Sequence, residues 1–165
     1  MTIAIPPSNK ESSNRGIQPT GWLRYLSFSL DHKVIGIQYL VCGFIFYLIG
    51  GSLASAMRIE LTSPVSDFLA RDVYNQVLTL HGTIMIFLWI VPVINGAFGN
   101  YLIPFYVGAR DMAFPRLNAV AFWLIPPAGL MLITSYFING AAQSGWTAYP
   151  PLSITTPAAG QIIWI

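Results

Sequence analysis

Residues Thr79 to Pro92 read TLHGTIMIFLWIVP, an apolar run with one histidine near its start. The run lies inside 37 residues without Asp, Glu, Lys or Arg, from Val73 to Ala109. A bilayer crossing as a helix takes about 20 apolar residues. The stretch is therefore long enough for one crossing and more. The whole chain agrees: of 165 residues, 55% are hydrophobic and 8% charged. Soluble domains carry about 25% charged residues. The sequence predicts an all-α membrane protein, a bundle of transmembrane helices.

Outward from this run, the charges mark two more spans. Val34 to Met57 gives 24 uncharged residues, and nothing after Arg116 is charged. Helices are expected at about 34–57, 73–98 and 117–138. Gly96, Gly99, Asn100 and Pro104 read as the loop closing the second. Pro92 and the pair Pro126-Pro127 should kink the second and third. The first helix carries Gly43, Gly50, Gly51, Ser52, Ala54, Ser55 and Ala56, small residues that let helices approach closely in lipid. Residues 139–160 are rich in Gly, Pro, Ser and Thr and read as a long loop around GWTAYPPL. The closing QIIWI reads as the first turn of a fourth helix, so a piece of a longer polypeptide is expected. Residues 1–30 are expected as an extramembrane tail, loosely ordered through Arg24; no apolar core of signal-peptide length is present.

Lys10, Arg15, Arg24, Lys33, Arg110 and Arg116 lie on one side of these spans, and Arg58 and Arg71 on the other. The positive-inside rule then puts the N-terminus and the Arg110 loop in the cytoplasm. Trp146 and Tyr149 suit the outer interface. A formal charge of +2 with scattered basic residues argues against a nucleic-acid partner. The single cysteine, Cys42, excludes an internal disulfide and a Cys-based metal site.

His81 is then the residue to explain. An ionisable group some 12 Å below the surface is costly and needs a partner, a cavity or a metal. One imidazole nitrogen on a metal and the other on an acceptor satisfies both; a hydrogen bond to another helix is the alternative. Haem suits better than zinc, because it takes one protein ligand per face. Gly82 would leave room for a flat macrocycle. Arg58, at the same outer end, could bond the periphery of such a group or anchor at the interface. At the inner end Asp111 lies between Arg110 and Arg116. Either a salt bridge with one of them or a proton-collecting carboxylate fits, with Asn100 and Asn118 able to order water beside it.

LHGTIMIF, FGNYLIP, GARDMAFPRLN, FWLIPP and GWTAYPPL, in this order and spacing, closely resemble subunit I of the haem–copper oxidases; DHKVIGIQYL resembles the start of its first helix. The texture resembles that of bacterial members, cyanobacterial ones among them. The resemblance covers residues 31–165 and implies the first three helices, and the start of a fourth, of a twelve-helix-type subunit. It implies a terminal oxidase that takes electrons from cytochrome c, reduces O2 to water and pumps protons. By resemblance His81 is an axial ligand of the low-spin haem, expected to be of a type. Arg58 bonds that haem's edge and Trp146 lies beside it. Asp111, Asn100 and Asn118 form the proton-uptake pathway. Glu60, with Asp67, falls where the family binds Ca or Na. The high-spin haem, the copper and their ligands would lie outside this stretch, and His32, near the opposite face, cannot share a haem with His81. Subunits II and III and the lipid membrane are the implied partners, the bacterial plasma membrane or a thylakoid membrane being the implied setting. The alternatives are a quinol oxidase, for which Gln76 speaks, and a non-catalytic haem-binding or assembly protein.

Overall fold

The computed structural model describes residues 21–65, 67–138 and 140–155. Residues 1–20, with Lys10 and Arg15, and the expected start of a fourth helix at Gln161 lie outside them. Three long helices dominate: α1 (His32–Glu60), α2 (Arg71–Val107) and α3 (Pro115–Phe137). All three are long and apolar enough to cross a membrane. A short turn of helix, α4 (Leu152–Thr155), follows the last loop.

Helix α1 starts at Asp31, whose carboxylate accepts from the Lys33 N–H at 2.9 Å and so satisfies one orphan donor. The segment before it is more ordered than expected. Gly21–Tyr25 forms a 3-10 turn, and the buried Gln38 side chain donates to the carbonyls of Tyr25 and Ser27.

Helix α2 departs most from expectation. Its backbone runs past Gly96, Gly99, Asn100 and Pro104 and stops at Val107, where Gly108 turns left-handed at φ 71°. That cap returns N–H groups of Gly108 and Ala109 to the carbonyls of Phe105 and Pro104. Without water in the bilayer, a broken helix would strand its backbone groups, so glycines that would open a loop elsewhere stay helical. Pro92 is absorbed by wider winding: Ile84–Ile90 and Pro92–Phe98 are π-helical. A proline ring clashes with the carbonyl four residues back, and a π-turn relieves that clash. Pro126 and Pro127 likewise sit within an unbroken α3.

Contacts between helices are made where side chains are missing. A Cβ on Gly43 would stand 2.8 Å from the Val93 side chain, and one on Gly50 2.7 Å from Met85 Sδ. The Tyr39 ring lies on Gly96 and the Phe46 ring on Gly129. Gly51 does not take part; nothing lies within 4 Å of its missing Cβ. Ser52 and Ser55 face outward and bond carbonyls of their own helix. Gly43 and Gly50 are seven residues apart and share a face, whereas Gly51 is turned 100° away. These contacts enclose two apolar clusters. One joins Ile35, Tyr39, Ala97, Ala119 and Phe122; the other joins Phe46, Leu80, Ile84, Leu88 and Ala141. Leu40, Phe44, Leu48 and Leu124 point outward, as a lipid-facing surface requires.

A variant pair tests this packing. Gly96→Ala drives a methyl into the Tyr39 ring and is expected to cost about 1–3 kcal/mol, as overpacked cores do. Gly51→Ala meets open space and is expected to be neutral. Thermal inactivation of the assembled complex reads both, and equal midpoints would contradict the assigned contacts.

Candidate haem-ligand site and proton-uptake mouth

At one end of the bundle, α2 presents His81 toward α1. Its ring bonds the Gly50 carbonyl through Nδ1 at 2.8 Å. A carbonyl only accepts, so Nδ1 carries a proton, and in the neutral ring Nε2 then keeps its lone pair. Among the described residues Nε2 has no hydrogen-bond partner. The ring is half-buried. An imidazole oriented through Nδ1, with the other nitrogen free, is the arrangement of a metal-ligating histidine. The bond across to α1 does not decide between the two sequence readings by itself; the free Nε2 favours the ligand. Gly50 can offer its carbonyl so closely because it has no side chain.

The space at Gly82 is not left for a macrocycle. It is filled by Trp146, whose indole Cδ1 would lie 3.1 Å from a Cβ there. One residue turns a helix by 100°, so Gly82 faces the loop while His81 faces α1. Trp146 also meets Phe87 edge-on, with ring centroids 6.1 Å apart. Trp146 therefore does come beside His81's turn of helix, through its neighbour. An apolar cavity of about 290 Å³ between the three helices is lined by Leu80, Ile84 and Leu53, not by His81.

Arg58 is not level with His81. It lies eight residues beyond Gly50 on α1, about 12 Å further out at 1.5 Å per residue. It is exposed and makes no ion pair among the described residues. Glu60 and Asp67 do come together, around a cavity shared with Arg71 and Tyr74. Glu60 Oε2 accepts from the Leu69 N–H at 2.9 Å, bracing the loop between α1 and α2. Among the described residues no three acidic, His or Cys side chains gather as a metal cluster. Gln76, the residue that favoured a quinol donor, is engaged in structure: its Oε1 accepts from the Ala141 N–H at 3.2 Å.

The opposite end gathers the second set. Asp111 pairs with neither Arg110 nor Arg116, the two partners the sequence offered. It accepts from His32 Nδ1 at 3.0 Å, and Met112 N–H bonds the same Oδ1 at 2.8 Å. The His32 ring is buried and the Asp111 carboxyl about half exposed, so the pair bridges solvent and interior. Asn118 donates to Asn100 Oδ1, and buried Asn100 donates to the Gly96 carbonyl. Asp111, Asn118 and Asn100 thus share one end of the bundle. His32 was missed as a member. No spacing signals a partner 79 residues away; only its place at the same end of the bundle could have suggested it.

Two carboxamides, a carboxylate and an imidazole at one end, with a ligand-competent imidazole toward the other, narrow the families available. Residues 34–165 match the family described as cytochrome c and quinol oxidase polypeptide I. The chain belongs to this family. Relatives of this oxidase polypeptide include cytochrome c oxidase subunit 1 of Thermostichus vulcanus, 64% identical over 144 residues, which are 87% of this chain and 26% of that protein. Cytochrome c oxidase subunit 1 of Synechocystis sp. is 62% identical over 144 residues, with the same coverage. That of Corynebacterium glutamicum is 38% identical over 174 residues, covering 100% of this chain and 30% of its own length. The chain thus spans about a quarter of the length of the first two of these oxidase subunits. The first two are cyanobacterial, in keeping with the texture noted in the sequence.

Proposed function

We propose that this chain works within the catalytic subunit of a proton-pumping cytochrome c oxidase, holding the low-spin haem that receives electrons bound for a haem–copper centre. The observation that carries the reading is His81, half-buried, with Nδ1 fixed on Gly50 and Nε2 free. The donor set suits haem iron: one imidazole, with no cluster of Cys, His or acidic side chains gathered among the described residues. Haem bound there, of a type by family resemblance, would supply one-electron redox chemistry. The chain's own residues do the rest. Gly50 holds the ligand's tautomer, Trp146 walls the neighbouring face, and Arg58, two turns outward, can meet only the periphery of the group. The Glu60–Asp67 cavity is the candidate Ca or Na site, with Arg71 also in its lining.

At the other end Asp111 collects protons. Its half-exposed carboxyl can take a proton from water at Oδ2 while Oδ1 stays bonded to His32. Asn118 and Asn100 then order the path inward. The distribution of basic residues supports this end in the cytoplasm and the His81 end outside. Drawing electrons and protons from opposite faces stores about 2.3 kcal/mol per charge at 100 mV. Subunits II and III are the proposed partners in the plasma or thylakoid membrane. The quinol alternative is weakened because the Gln76 carbonyl is already committed to the loop.

The intact complex, offered reduced cytochrome c and reduced quinol separately, tests the donor. Oxygen consumption with cytochrome c is expected. Turnover with quinol alone would overturn this reading.

A further inference from the structure

The loop after α3 is not simply laid over the bundle. Thr79 is fully buried, and its Oγ1 accepts from the Gly145 N–H at 3.1 Å while donating to the Asn75 carbonyl at 2.8 Å. One turn outward, Gln76 Oε1 accepts from the Ala141 N–H. The two bonds grip both ends of a five-residue span. Gly140, at φ 89°, lies so close that a Cβ would meet Gln76 Nε2 at 2.9 Å; Gly145 turns at φ 76°. Ala141 and Ala142, within the span, are buried. The next residue is Trp146, which closes on Gly82 and Phe87. Gln76, Thr79, Gly82 and Phe87 thus form one stripe of α2, at spacings of three, three and five residues, to which the loop is fastened. His81 belongs to the same two turns.

We propose that Thr79 and Gln76 are positioning residues for the haem site: they latch residues 140–146 to α2 and thereby fix Trp146 against the residue that follows the ligand. The proposal rests on His81 being the ligand. It adds that the wall of the site is set by two polar side chains that touch neither iron nor macrocycle. Removing the Thr79 hydroxyl frees the Gly145 N–H, lets the loop lift and moves Trp146 relative to the haem. A threonine that only braced its own helix would have no such effect. Thr83 provides that comparison. It is also buried and bonds the carbonyl four residues back, at 2.8 Å, with no hydrogen bond to the loop among the described residues.

The test uses the assembled oxidase with Thr79→Val, Thr79→Ser, Thr83→Val and Gln76→Leu. Amide hydrogen exchange reads the loop at residues 141–145. The reduced low-spin haem band and its midpoint potential read the site. Thr79→Val and Gln76→Leu are expected to speed exchange in the loop and shift both band and potential at full haem content. Thr79→Ser is expected to restore wild-type values, and Thr83→Val to keep them. Faster exchange with unmoved band and potential would overturn the positioning role; unchanged exchange would overturn the latch. Should Thr79→Val fail to assemble, Gln76→Leu decides by the same two readings. Failure of the ligand assignment looks different: the band would survive His81→Ala, while the exchange arm would still report on the latch.

Discussion

Replacing His81 with alanine is expected to abolish the low-spin haem band of the assembled complex. The substitution removes the Nε2 lone pair and leaves the Gly50 carbonyl without its donor. His81 is the side chain of this chain that would hold the haem iron, so its loss should remove the low-spin state. No other described side chain of this chain can substitute. His32 is at the far end of α1 and committed to Asp111, and Met85 packs its sulfur against Gly50. The measurement is a reduced-minus-oxidised spectrum of complex shown to be assembled. The loss should be complete rather than partial. A band of wild-type position and size would mean that the ring is only a hydrogen-bonding link between α1 and α2.

Asp111→Asn should slow proton uptake on the order of 10²-fold, the lower range for removing a positioned acid–base group. Asparagine keeps the shape and an oxygen acceptor for Met112 N–H and His32, so the local fold should hold. It cannot take up and release the proton. The haem spectrum should stay unchanged, because Asp111 lies at the other end of the bundle. Proton uptake by complex reconstituted in vesicles, followed with a pH-sensitive dye during oxygen reduction, separates the two effects. Normal uptake would remove Asp111 from the path and leave the His32–Asp111 pair a structural clasp between the first helix and the second loop.

The spans were legible because lipid imposes simple rules. Charge-free runs mark the crossings, and a lone buried histidine demands a partner. The end of α2 was misread for the same physics. Gly96, Gly99 and Pro104 break helices in water, where a freed N–H finds a solvent partner; in lipid it does not, so the helix continues to Val107. What stayed hidden were pairings between distant segments. His32 with Asp111, Gln76 with Ala141 and Thr79 with Gly145 are 79, 65 and 66 residues apart. Such contacts follow from how helices are rotated against each other, which spacing along one chain does not encode. Gly82 shows the same limit: its missing side chain was evident, but the group that fills the space, Trp146, comes from a loop 64 residues on.

A density map of the assembled oxidase tests the central claim directly. It should show iron bonded to Nε2 of His81, with Nδ1 still on the Gly50 carbonyl and Trp146 beside the macrocycle. An imidazole surrounded only by protein side chains, with no porphyrin within bonding reach, would contradict the account.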